Sequence, residues 1–168
     1  MSAMPMTANT YELSVTVTLN GSSEPVSNAV VSVDSARQAA PVSAELYQKD
    51  RAFHPQVLVV PVGSSVDFPN RDNTQHHVYS FSPAKTFNIE LYADRPAAPI
   101  VFDKAGIVEL GCNIHDHMQG FVVVTDTTAV RQTDASGQVT LSIDPQTTDS
   151  GENTVTLEIW HPRLPDST

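Results

Sequence analysis

The sequence predicts an all-β protein, a sandwich of short strands, and three observations lead there. Apolar residues recur at period two in one stretch after another, as in "YELSVTVTLNG", where Leu13, Val15, Val17 and Leu19 share one face. Turn residues punctuate those stretches at Asn20-Gly21, at Val62-Gly63 and from Lys104 to Gly106. Twelve prolines and seven glycines in 168 residues, 40% of them hydrophobic and 17% charged, describe a turn-rich globular chain rather than a disordered one.

Taken in order, residues 1–10 lack the basic and apolar regions of an export signal and are expected to form a disordered N-terminus, carrying Met1, Met4 and Met6. Residues 11–35 read as N-terminal strands: the chain reverses at Asn20-Gly21 and resumes as "AVVSVDS", a hairpin-like opening. Ala36 to Arg51 is expected to hold a helical turn, with Ala44, Leu46 and Tyr47 near Glu45 and Lys49. Residues 53–125 read as the core: "VLVVPVGSSVDFPN" gives two strands, and "HHVYSFS", "FNIELY", "PIVFDKAGIVELGC" and "GFVVVTD" give more. The polar stretch "DTTAVRQTDASGQ" then leads to "VTLSID" and "TVTLEIWHP", so residues 126–163 are expected to be a C-terminal strand extension packing with the N-terminal strands.

Charge narrows the partners. Nineteen acids against nine bases give −10, which disfavours nucleic acid and suits a basic protein surface. No segment approaches eighteen uninterrupted apolar residues, so no membrane-spanning helix is expected. The single cysteine cannot close an internal disulfide, which leaves two readings, a thiol kept for chemistry or an incidental small core residue.

That cysteine stands in "ELGCNIHDHMQGF", where Cys112, His115 and Met118 form a C-x2-H-x2-M pattern suited to a tight loop between two strands. Copper in an electron-transfer site takes two imidazoles and a thiolate in one plane, with a weak axial Met. "NRDNTQHHVYS" offers the second imidazole at the start of a strand. Zinc accepts Cys and His but leaves the Met without a role.

Between Phe53 and Thr125 the Val-Gly turn, Phe68-x-Asn70, the His-x-Val and C-x2-H-x2-M follow in an order that resembles the blue copper proteins, the cupredoxins such as plastocyanin, pseudoazurin and amicyanin. The resemblance implies a Greek-key β-sandwich, here with extra strands from both termini. It also implies one copper per chain, Cu(I) or Cu(II), held by His76, Cys112, His115 and Met118. His76 is preferred to His77 because it precedes Val78 at the family's spacing, and neighbours on a strand face opposite ways. His77 stands where the family carries an Asn that ties the upstream ligand to the Cys loop. Ile114 stands where the family has a proline, and its N–H is expected to donate to the Cys112 thiolate and favour Cu(I). His117 is expected to face solvent, or to replace Met118 or His115 as a ligand. His54, His161 and Trp160 carry no pattern beyond ordinary strand and surface positions.

The function these features imply is a type 1 copper electron carrier, not an enzyme, exchanging electrons through the His115 edge with a basic redox protein such as a cytochrome. The family resemblance places it in the periplasm as a mature form. A copper carrier or chaperone for metal delivery is the alternative, favoured by His77, His117 and the Met-rich start. A Cys/His hydrolase would need an orienting third group and an oxyanion hole, and nothing in the sequence marks either. The oligomeric state leaves no trace in the sequence.

Overall fold

A computed structural model describes residues 10–33, 38–143 and 155–164, and their regular structure is all β. The chain forms two compact units, one of Met1–Gln38 with Thr127–Thr168 and one of Ala39–Asp126. The first contributes β1 (Tyr11–Thr16) and β2 (Val30–Val33). The second holds β3 (Ser43–Glu45), β4 (Tyr47–Lys49), β5 (Ala52–His54), β6 (Val57–Pro61), β7 (Ser64–Asp67), β8 (His76–Ser82), β9 (Lys85–Tyr92), β10 (Ile100–Phe102), β11 (Gly106–Gly111) and β12 (Gln119–Thr125). The chain then returns to the first unit with β13 (Val130–Gln132), β14 (Gln138–Ile143) and β15 (Leu157–Trp160). Met1, Met4 and Met6, and the polar run 146–153, lie outside the described residues.

In the first unit β1 runs antiparallel to β14, with Leu13 opposite Leu141 and Val15 opposite Val139. β2 lies between β13 and β15. This corrects the hairpin expected at the start. The chain does reverse at Asn20-Gly21, where Leu19 N–H donates to Glu24 O (3.1 Å) and Val26 N–H to Val17 O (3.0 Å). Beyond that turn the strands part, because the apolar alternation of β1 is matched by Val139, Leu141 and Ile143 of β14. β2 has Val30, Val31 and Val33 all buried, so both of its faces need cover, and it takes a central place.

The second unit is a two-layer sandwich. A five-stranded sheet, β6-β12-β11-β8-β9, has β6 parallel to β12 and its other pairs antiparallel. A three-stranded sheet, β10-β7-β3, has β3 parallel to β7. Val78, Leu110 and Val122 from the larger sheet meet Val66, Phe68 and Phe102 from the smaller side in one buried cluster.

Residues 43–49 overturn the expected helical turn. Ala44, Leu46 and Gln48 point inward at period two, with Leu46 and Gln48 fully buried. Pairing of β3 with β7 and of β4 with β5 supplies long-range contacts that outweigh local helix propensity. Asp50 and Arg51 make the β4–β5 turn with φ of 53° and 57°, both left-handed. Gly111, the last residue of β11, pairs with Tyr79 of β8 and Gln119 of β12, which sets the Cys loop beside the start of β8.

Candidate metal centre

Cys112 leaves β11 and Gln119 begins β12, so the intervening loop is clamped at both ends by strand pairing. Inside it, Met118 N–H donates to His115 O at 2.9 Å and folds the loop back on itself. Cys112 Sγ comes to 3.8 Å from His76 Nδ1 and 3.9 Å from His115 Nδ1. The two imidazole centroids are 5.0 Å apart at 52°. All three donor atoms lie within 4.8 Å of one another, and among the described residues no other set of His, Cys, Asp or Glu converges in this way.

The donor set suits a soft or borderline ion. One sulfur and two imidazole nitrogens at these separations are compatible with a shared metal bonded at about 2.0–2.3 Å to each. His76 is fully buried and Cys112 is 4% exposed, while His115 is partly exposed. No carboxylate, further histidine or further cysteine joins the group among the described residues, which leaves the four-donor set of structural zinc incomplete. Met118 is buried in the same apolar cluster as Cys112.

Behind His76 stands a residue that sequence reasoning missed. Asp72 Oδ2 lies 2.7 Å from His76 Nε2. The same carboxylate accepts the N–H groups of Asp50 (2.7 Å) and Arg51 (3.0 Å). Asn70 fixes the path of the loop: its Oδ1 accepts Asp72 N–H at 2.9 Å, and its Nδ2 donates to Thr74 O at 2.8 Å and Tyr92 O at 3.1 Å. Desolvation pushes the Asp72 carboxyl up, but hydrogen bonds from Arg51 N–H, the His76 ring and Asp50 N–H together hold it below the usual carboxylate value. The available signal was an acid four residues ahead of a candidate ligand, in "DNTQH".

Desolvation also lowers His115, and electrostatic interactions with its neighbours His76, Arg51 and His117 act in the same direction while Asp72 opposes. That direction favours the neutral imidazole a metal requires.

His77 lies 3.5 Å by its Nε2 from Asn113 Nδ2, packs on Tyr79 (5.5 Å between centroids) and leaves Nδ1 buried without a partner. Strand and Cys loop are thus joined with the histidine on β8 and the amide on the loop. His117 is exposed, 6.2 Å ring to ring from His115, and outside the converging set. The bond expected from Ile114 N–H to the sulfur is not formed: among the described residues Cys112 Sγ meets the two imidazoles. Ile114 is instead 47% exposed, on the outside of a loop closed by its own Met118–His115 bond. His54 stacks on Tyr47 (5.2 Å), His161 Nδ1 accepts Arg163 N–H (3.2 Å), and Trp160 sits opposite Val30 in β15.

No protein-family model and no curated protein matches the chain. Solved structures do. A reduced amicyanin mutant is 23% identical over 58% of this chain and 99% of its own, with a TM-score of 0.46. A purple cupredoxin from Nitrosopumilus maritimus is 21% identical over 49% of this chain and 99% of its own, at 0.39. The resemblance is to cupredoxins. A Cu-containing nitrite reductase from Thermus scotoductus SA-01 is 25% identical over 55% of this chain, which spans only 24% of that enzyme, at 0.46. Among the described residues no helix is long and apolar enough to cross a membrane.

Proposed function

We propose that this chain is a type 1 copper protein that carries single electrons between redox partners and transforms no substrate. One observation carries the reading: a lone thiol and two imidazoles converge in a buried corner between strands. His76, Cys112 and His115 would hold the ion, with the thioether of Met118 as a further soft donor. Copper bound there supplies a one-electron couple. The protein's part is to hold the donors on paired strands, so that little moves when the charge changes. His115, the most exposed of the three, is the port for electrons. An overall charge of −10 favours a partner with a basic face, such as a cytochrome, and the association weakens as salt is added. A periplasmic location goes with this reading.

His117, exposed beside His115, favours metal delivery as the second reading, since it offers an incoming acceptor a stepping point. Copper retained through repeated reduction and oxidation supports the electron carrier, and copper surrendered readily to a competing acceptor supports delivery.

The deciding experiment adds one equivalent of Cu(II) to metal-free protein and records visible absorption and EPR spectra. An intense thiolate-to-copper band, bleached by reduction and absent in Cys112→Ser, is expected. A pale spectrum with ordinary hyperfine splitting would overturn the type 1 assignment.

A further inference from the structure

We propose that Asp72 is a positioning residue of this centre: its carboxylate fixes the tautomer and orientation of His76 and ties that ring to the Asp50–Arg51 turn before any metal arrives. The inference rests on the metal-site reading above.

Its basis is the division of labour between the two nitrogens of His76. Nδ1 faces Cys112 Sγ at 3.8 Å, while Nε2 lies 2.7 Å from the carboxylate. An ionised carboxylate only accepts, so Nε2 must carry the proton and Nδ1 keeps its lone pair towards the donor cluster. The ring is fully buried, so no solvent competes for that proton.

The second support comes from the turn. A two-residue turn with both φ values positive normally recruits Asn, Asp or Gly, and here Arg51, with a full side chain, adopts 57°. Its N–H and that of Asp50 both point at the Asp72 carboxylate, at 3.0 and 2.7 Å. A single anion therefore offsets the strain of the turn and orients the ring. Asn70 holds Asp72 itself, through the 2.9 Å bond to its N–H. The negative charge at Nε2 makes the imidazole a stronger donor and favours the oxidised metal.

The test uses the full chain with Asp72→Ala and Asp72→Asn. In metal-free wild type, ¹⁵N–¹H correlation of the imidazoles should show His76 protonated at Nε2. Asp72→Ala should mix or reverse that tautomer and leave His54 unmoved. On loading, copper affinity should fall about 10–100-fold, the usual cost of losing such an outer partner. The reduction potential should rise in both variants, including Asp72→Asn, which keeps the side chain's shape and removes its charge. A double variant, Asp72→Ala with Arg51→Gly, separates the roles because glycine relieves the turn without supplying an acceptor. A persisting tautomer change there supports direct positioning. A tautomer unchanged in Asp72→Ala, one restored by Arg51→Gly, or a potential unmoved in Asp72→Asn would overturn the proposal. Loss of the type 1 reading is a separate result, visible as a missing thiolate band in wild type, and the metal-free tautomer measurement does not depend on it.

Discussion

Asp134 in the first unit and Asp72 in the second use one device to different ends. Asp134 Oδ1 accepts Ser136 N–H (2.8 Å), the Ser136 hydroxyl (2.6 Å) and Gln138 N–H (3.0 Å), closing the turn between β13 and β14. Asp72 closes a turn in the same way and then reaches a histidine. The contrast extends to the buried polar groups. Thr133 Oγ1 donates to Val26 O (2.6 Å) and accepts Ala29 N–H (2.9 Å), and Thr127 Oγ1 donates to Val33 O (2.9 Å) and accepts Ala129 N–H (3.0 Å). Those threonines spend their capacity on backbone. Around Cys112, by contrast, two imidazole nitrogens and a thiol face one another instead of a backbone partner. A buried polar group that is fully satisfied builds structure, whereas one left with capacity in hand is available for chemistry.

Copper should sharpen that division most strongly. At a free concentration about a hundred times its Kd, a ligand stabilises the state it binds by about 2.7 kcal/mol. Hydrogen–deuterium exchange should therefore slow in peptides around His76 and Cys112 and stay unchanged in β1, β2 and β14. Equal slowing in both units would break the comparison, because it would mean that they open together.

Glycine substitutions come next. At Gly137, beside Asp134, φ is +72° and an added Cβ would lie 2.5 Å from Val17 O, so Gly137→Ala should cost about 1–2 kcal/mol or more by denaturant titration. At Gly111, beside Cys112, the added Cβ meets the far end of the Tyr79 ring at 2.7 Å. That ring can swing aside, so Gly111→Ala should cost less than Gly137→Ala. The reverse ranking would place the tighter backbone constraint at the metal loop.

The smallest effect is expected at Asp134 itself. Hydrogen bonds from the Ser136 hydroxyl, Gln138 N–H and Ser136 N–H hold its carboxyl below the usual value. A depressed carboxyl contributes stability above the unfolded value near 3.9, and that contribution fades as pH falls through the folded one. Asp134→Ala should thus lower the unfolding midpoint modestly at neutral pH and match wild type in strong acid. A constant gap across the whole pH range would show that the loss is one of packing.

Sequence reasoning reached the strands whose alternation is clean and stumbled where a polar residue points inward. Gln48 hides the period-two pattern of residues 44–48, yet it is buried at no loss because its Nε2 donates to Phe68 O (3.3 Å) and its Oε1 accepts from Tyr92 Oη (2.8 Å). The opening hairpin misled for another reason: Asn20-Gly21 specifies a reversal but not which distant strand β1 will choose. At the candidate metal centre, Cys112 and His115 are legible because one short loop carries both, and His76 because it opens a strand. Asp72 was not legible, since its role depends on where Asn70 sends the loop. The contact that sets His77 against Asn113 was hidden too, because no local pattern in the sequence pairs a strand histidine with a loop amide.

The chain has a single sulfhydryl, 4% exposed and lodged between two imidazoles. A thiol-specific reagent added to the folded, metal-free protein therefore finds one target, and finds it when the loop after β11 swings open. The rate of labelling becomes a clock for that opening, set by local breathing rather than by the chemistry of the surface. The protein carries its own gauge of how firmly its metal corner is shut.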